Sequence, residues 1–427
     1  MIPRRLKNIA IIAVSNVDKK STAGDWPVHL CNYVDVYNNE RITSDLPFME
    51  ATATPEQVRQ FHLRAGDVLV TKDSETPDDI AVPAYVAEEM PQVVCGYHLA
   101  IVRPRAGTHG RYLFWALSSN RARQQFSAMA NGITRFGLRR EALADVRVPL
   151  PERPVQRAIA DYLDAETARI DALIEKKRRM VELLESAFRS YRWEMVARGI
   201  GDLGGALGRP TATLQAGWTP VRLRHLVEEA QGGAWGSEIG DYELDVECYR
   251  VADFDRWVNT AAAKAPTMRS IPREQFKRIG LAPDDLLLEK SGGGDTQPVG
   301  FVARFVGSEN PSICSNFVAR LRVKPRHHPR FVAEVFAAIY DSGLTIPFVK
   351  QTTGIQNLDV DAFLSQHWAV PGRGEQERLA SCIQRELARV GALRESIKRQ
   401  LELLAEQRQA LITAAVTGEL DIPGLAA

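Results

Sequence analysis

Asp285, Glu289 and Lys290 are spaced as two carboxylates and a lysine would be around a cation and a scissile phosphate. The equivalent stretch earlier in the chain carries Asp67, Thr71 and Lys72. The second carboxylate is therefore not shared, and a nuclease centre is not expected. Ser291-Gly292-Gly293-Gly294-Asp295-Thr296 follows a predicted strand but lacks the Gly-Lys-Ser/Thr of a nucleotide-binding loop. It reads as a phosphate-facing turn or a plain mobile loop. Asn310-Pro311 is followed by Ser312, so the Asn/Asp-Pro-Pro-aromatic motif of a DNA methyltransferase is missing. His327 and His328, between Arg326 and Pro329, read as an exposed turn rather than a metal pair. The cysteines (Cys31, Cys95, Cys248, Cys314 and Cys382) are scattered and form no CxxC pair, which points to neither zinc nor a disulfide framework. Cys95 and Cys314, beside apolar strands, read as buried structural thiols. No enzymatic activity, metal or cofactor is expected.

The elements that carry these residues occur twice. At an offset of 220, Ala168, Leu173, Glu175, Arg179 and Glu182-Leu183-Leu184 recur as Ala388, Leu393, Glu395, Arg399 and Glu402-Leu403-Leu404. Gly66-Asp67-Val68-Leu69 answers Asp284-Asp285-Leu286-Leu287, and Cys95 through Ala100 answers Cys314 through Ala319. Asn131-Gly132-Ile133 answers Thr353-Gly354-Ile355. Two diverged segments are thus each followed by a nearly constant one.

The constant segments are free of glycine and proline over long stretches, and their apolar residues fall at helical spacing. The stripe runs through Leu163, Ile170, Leu173, Met180, Leu184 and Phe188 in one, and through Ile383, Val390, Leu393, Ile397 and Leu404 in the other. Helices this long need a partner, and each supplies the other; packing on its own preceding domain is the alternative. The diverged segments mix short β-branched runs with turns and one helix each, near 111–129 and 330–342, an α/β or α+β pattern. The expected fold class is α+β: two mixed α/β domains joined by two long antiparallel coiled-coil helices, with an internal pseudo-repeat. The expected boundaries are 1–150 for the first domain, 151–199 for the first helix, 200–217 for a linker, 218–371 for the second domain and 372–427 for the second helix and tail.

The 427 residues carry 54 Lys and Arg against 53 Asp and Glu, a net charge of +1 that argues against binding through bulk charge but not against local basic loops. No apolar run approaches the roughly 20 residues that span a bilayer, and a reducing, cytoplasmic location is expected.

Several phrases carry a family resemblance: Ser15-Asn16-Val17-Asp18 followed by Tyr33-Val34-Asp35, the Gly66 strand, the glycine–isoleucine loop before Val148-Pro149-Leu150-Pro151, the helix start at Gln156, and the ending Ile412-Thr413-Ala414-Ala415-Val416-Thr417-Gly418-Glu419-Leu420. In combination, over the whole chain, they resemble the specificity subunit of type I restriction–modification systems. Gly372-Arg373-Gly374 departs from the corresponding Leu150-Pro151-Glu152-Arg153-Pro154, so the start of the second helix is expected to differ. The resemblance implies two target-recognition domains, each reading one half of a split, asymmetric site in double-stranded DNA. It also implies that the antiparallel helices act as a ruler between the half-sites and dock two methyltransferase subunits, with motor–nuclease (restriction) subunits joining. The chain itself would be a non-catalytic subunit. Candidate base readers are Thr134, Arg135 and Arg139 after Gly132, and Gln356 and Asn357 after Gly354: Arg suits guanine, and Gln or Asn suits adenine. Lys72, Lys290 and Lys350 suit phosphates. A coiled-coil protein scaffold without DNA readout is the rival.

Overall fold

The repeat in the sequence is also a repeat in the backbone. The computed structural model describes residues 2–197, 215–262, 265–352 and 354–423, so the expected linker at 200–217 lies largely outside the described residues. The chain divides into two units, Met1–Arg178 with Lys398–Ala427, and Arg179–Ile397.

In the first unit a five-stranded sheet runs in the order Ala10–Val14, Leu99–Pro104, Val68–Thr71, Pro83–Val86, Arg41–Ile42. The apolar run Val68, Leu69, Val70 is buried at its centre, as a strand covered on both faces requires. A second sheet pairs Trp26–Cys31 with Met49–Ala53 and, in parallel, with Met90–Cys95. The second unit repeats the plan. Leu286–Glu289 lies between Val302–Phe305 and Val318–Val323, while Leu244–Tyr249 pairs with Thr267–Ile271 and, in parallel, with Ser312–Cys314. In each unit a short strand near the start clasps the strand before the long helix: Pro3–Arg5 on Arg147–Pro149, and Trp218–Arg222 on His367–Pro371.

Two buried polar devices recur. Asp67 takes two hydrogen bonds from Arg103 at 2.8 and 2.7 Å and accepts from the Arg64 amide. Asp285 does the same with Arg322, at 2.8 and 2.7 Å, and with the Ala282 amide. Gln156 accepts from the His109 amide at 2.8 Å and donates to the Pro151 carbonyl at 2.8 Å; Gln376 does so with the His328 amide at 2.9 Å and the Pro371 carbonyl at 2.8 Å. The glutamine of each helix start thus staples the helix to its own domain. The Gly372 difference leaves this start unchanged: the Gln376 amide bonds the Gly372 carbonyl as the Gln156 amide bonds that of Glu152.

The long helices span Arg153–Val196 and Arg373–Thr417, 44 and 45 residues. Within the first unit Asp171 meets Arg408 and Lys177 meets Gln400. Numbers rise on one helix as they fall on the other, so the helices are antiparallel there. Within the second unit Glu185 pairs with Arg394 at 2.8 Å. The alternative packing is present too. Arg111 grips Asp161 and Asp164, and Arg330 meets Gln384, each tying a long helix to the domain before it, whereas Arg192 ties the first helix to the domain after it through Glu334 and Asp341. Not all of the expected stripe is buried: Leu173, Met180 and Leu393 are exposed.

The helix expected at 111–129 is broken into Gly110–Ser118 and Asn120–Met129, because Ser119 turns extended and its hydroxyl caps the Ala122 amide. Its counterpart is one helix, Pro329–Asp341. His327, expected to be exposed, is buried against Gln376, a contact 49 residues away in sequence.

Candidate nucleic-acid interface

In each unit the central strand ends on a lysine. After Val68–Thr71, the Lys72 amide bonds the His98 carbonyl at 2.9 Å, and its own carbonyl takes the Leu138 amide at 2.8 Å. After Leu286–Glu289, the Lys290 amide bonds the Phe317 carbonyl at 2.9 Å, and its carbonyl takes the Leu358 amide at 2.9 Å. The same edge therefore gathers the lysine, the loop following the buried cysteine (Tyr97-His98 or Asn316-Phe317) and a hairpin. In the first unit the hairpin closes where Asn131 bridges Gly137, and Phe136–Gly137 pairs with Asp73–Ser74. In the second, Val349–Thr352 pairs with Ile355–Leu358, which also pairs with Ser291–Gly292.

Lys72 is not free. Its ammonium sits 2.8 Å from Asp73 and 4.7 Å from the centre of the Tyr97 ring. Asp73 also holds His98 at 2.7 Å. Burial alone would raise the Asp73 carboxyl, but the hydrogen bonds from Lys72 and His98 outweigh it and hold it below the ordinary aspartate value. At the equivalent positions the second unit has Ser291 and Phe317, and Lys290 has no carboxylate partner among the described residues. Its ammonium instead lies over Gly232, where an added Cβ would come within 3.6 Å of it.

The sequence-predicted residues distribute unevenly. Thr134, Arg135 and Arg139 are exposed in and just after the first hairpin. Arg135 is close enough to Tyr33 for its charge to act on the phenol. Asn357 is exposed, and its side-chain oxygen accepts from the Ser291 hydroxyl at 2.6 Å. Gln356 points the other way. It is 6% exposed, and its oxygen accepts from the Val299 amide at 3.3 Å, bracing the glycine loop. Lys350 is exposed but pairs with Asp359 at 2.7 Å.

Sequence reasoning did not single out Asp73, Tyr97 or Phe317, although the last two lie inside the repeated cysteine segment. Nor did it find Trp235, which is exposed with Arg269 stacked 4.3 Å from its ring centre; Glu238 holds that guanidinium at 2.7 Å. The acidic residues that resemble a nuclease cluster are structural: Asp285 belongs to Arg322, and Glu289 is buried on Arg256 at 2.7 Å, burial raising its carboxyl. Among the described residues no group of His, Cys, Asp or Glu is arranged to hold a metal. Cys95 and Cys314 are buried, and burial pushes the Cys314 thiol up to about 12. No described helix is long and apolar enough to cross a membrane.

Two mixed α/β units, each carrying a lysine-and-hairpin edge and each gripped by parts of two long helices, define the class of fold. No family model matches the chain, and no curated protein matches it. Among solved structures, one chain from a study of complex assembly and conformational transition of the type I restriction–modification system aligns with a TM-score of 0.73 at 16% identity, over 98% of both chains. The HsdS subunit from Thermoanaerobacter tengcongensis aligns at 0.52 and 17% identity, over 98% of this chain and 97% of that one. The fold is that of the type I restriction–modification specificity subunits.

Proposed function

We propose that the chain is the non-catalytic DNA-reading subunit of a type I restriction–modification complex, each unit reading one half of a bipartite, asymmetric site in double-stranded DNA. The observation that carries this reading is the edge built twice on one frame: constant in its Asp–Arg pair and helix staple, different in the side chains it offers. A frame that holds while its edge varies suits two unlike half-sites. Phosphate contacts would orient each unit and base contacts specify it.

The long helices support protein docking. Leu173 and Leu403 are exposed in the first unit, at 47% and 62%, and Leu393 and Leu183 in the second, at 44% and 55%. At the repeat offset Leu173 matches Leu393 and Leu183 matches Leu403. Each unit therefore offers the same pair of apolar side chains, which fits two copies of one partner, the methyltransferase subunit, with motor–nuclease subunits joining that core.

The test is to co-express the chain with its methyltransferase subunit and map methylation across a genome. A split motif supports the reading; absence of any sequence preference overturns it. In the same assay, four-residue insertions after Glu175 and after Glu402 keep both apolar stripes nearly in phase and add about 6 Å of helix. If the helices are the ruler, the gap grows by about one or two base pairs at roughly 3.4 Å each, with both half-sites unchanged.

A further inference from the structure

Each hairpin offers an apolar side chain to solvent two residues before a hydrogen-bond donor. Ile133 is 94% exposed and Ile355 is 51% exposed. Both follow a glycine that the turn requires. Gly132 has φ +153°, and a Cβ there would come 1.9 Å from the Arg135 carbonyl oxygen; Gly354 has φ +85°. Two residues beyond Ile133 stands Arg135, exposed and without a hydrogen-bond or ion-pair partner among the described residues. Two residues beyond Ile355, on the same strand face, stands Asn357. Its oxygen already accepts from the Ser291 hydroxyl, and its amide N–H is the donor it holds out to a ligand.

A donor beside an apolar group has one complement on the major-groove face of DNA. Thymine presents the O4 acceptor next to its 5-methyl, whereas guanine presents acceptors alone. Charge points to the same occupant: Arg135 and Arg139 in the first unit and Lys290 in the second are cations with no carboxylate partner among the described residues. We propose that each hairpin reads a thymine, Ile133 with Arg135 in one half-site and Ile355 with Asn357 in the other, the isoleucine covering the methyl. This rests on the DNA-reading function above.

The test uses the complex of the whole chain with its methyltransferase subunits, after the methylated motif has been mapped. Binding to cognate duplexes is measured by fluorescence anisotropy, with each thymine of the half-sites replaced in turn by deoxyuridine, which lacks only the methyl group. One replacement in each half-site should weaken binding about fourfold, as expected for uncovering one methyl-sized group. In the Ile133→Ala complex that sensitivity should vanish in one half-site only, and in Ile355→Ala in the other only. Ile355→Val should keep it. Since no phosphate contact is removed, the slope of log K against log salt should stay unchanged in both alanine variants. A half-site without thymine, a deoxyuridine effect that persists in the variants, or a lowered salt slope would overturn the proposal while leaving DNA reading intact. Absence of any sequence preference in the wild-type complex would remove the function on which it rests.

Discussion

Lys72 and Lys290 occupy the same place at the end of the same strand in two copies of one frame, yet their charges are spent differently. Lys72 is shared with Asp73, which His98 also engages, while Lys290 has Ser291 and Phe317 beside it. Behind both lysines the Asp67–Arg103 and Asp285–Arg322 pairs are alike to within the distances given above. What has been kept is buried and hydrogen-bonded; what has changed is half-exposed and can change without unfolding the unit. The comparison teaches that residues doing the same structural job are found by repetition, and candidates for the proposed reading by its failure.

The largest effect should come from breaking what the units share. Asp285→Ala leaves the Arg322 guanidinium without its carboxylate and removes the cap on the Ala282 amide. Losing the carboxylate's charge-assisted hydrogen bonds, with the arginine still partly reached by water, costs about 2–4 kcal/mol. Asp67→Ala should cost a similar amount through Arg103. Chemical denaturation of the two variants should give losses that agree within about 1 kcal/mol. A large disparity would mean that the frames are alike in geometry only.

The helix staple comes next. Gln156→Ala and Gln376→Ala each strand a backbone amide, at His109 and His328, at about 1–3 kcal/mol. Both losses should appear as lower melting temperatures, with the methylation motif unchanged.

The frame was legible in the sequence wherever the repeat preserved it: the aspartate before each central strand and the paired cysteines stood in matched phrases, and the glutamine at the first helix start stood in a family phrase. The break at Ser119 carried a readable signal, since Ser118-Ser119-Asn120 is capping chemistry inside a helical pattern. Gln356 was assigned to the DNA side because it lies in a diverged loop. Strand alternation argues otherwise: Leu358 must face inward, and a residue two positions away shares its face. The burial of His327 had no local signal, because it depends on Gln376. Nor could the apolar stripes tell which leucines would meet the domains and which would stay exposed, since amphipathicity names a face and not its partner.

That burial divides the second hairpin into a brace, Gln356, and a proposed reader, Asn357. Gln356→Ala should destabilise the second unit by about 1 kcal/mol by releasing the Val299 amide, and should weaken recognition only through that loss. Asn357→Ala should leave the melting temperature unchanged and relax one position of one half-site, at about 1–3 kcal/mol. Methylome sequencing beside thermal melting separates the two. Equal melting loss from both would merge them into one structural element.

The smallest expected effect tests the opening comparison directly. Lys290→Ala should lower the magnitude of the slope of log K against log salt by about 0.9, the value of one phosphate contact. Lys72→Ala should lower it by less, because the Lys72 charge is already balanced by Asp73. Asp73→Asn should then raise the slope toward that of an unclamped lysine. The pH sign follows from the same group. The Asp73 carboxyl is held below its ordinary value, so the stability contributed by its pairing is fully present above the ordinary aspartate range and is lost only as pH falls through the folded value. The Lys72–Asp73 pair is therefore closed throughout the neutral range, and a competing phosphate would open it. Salt slopes measured at pH 6.5 and 7.5, values chosen only to bracket neutrality at about one pH unit apart, should show the same ranking of the three variants. Equal slopes for Lys72→Ala and Lys290→Ala would mean that the clamp opens on binding and that the two edges meet the DNA backbone alike.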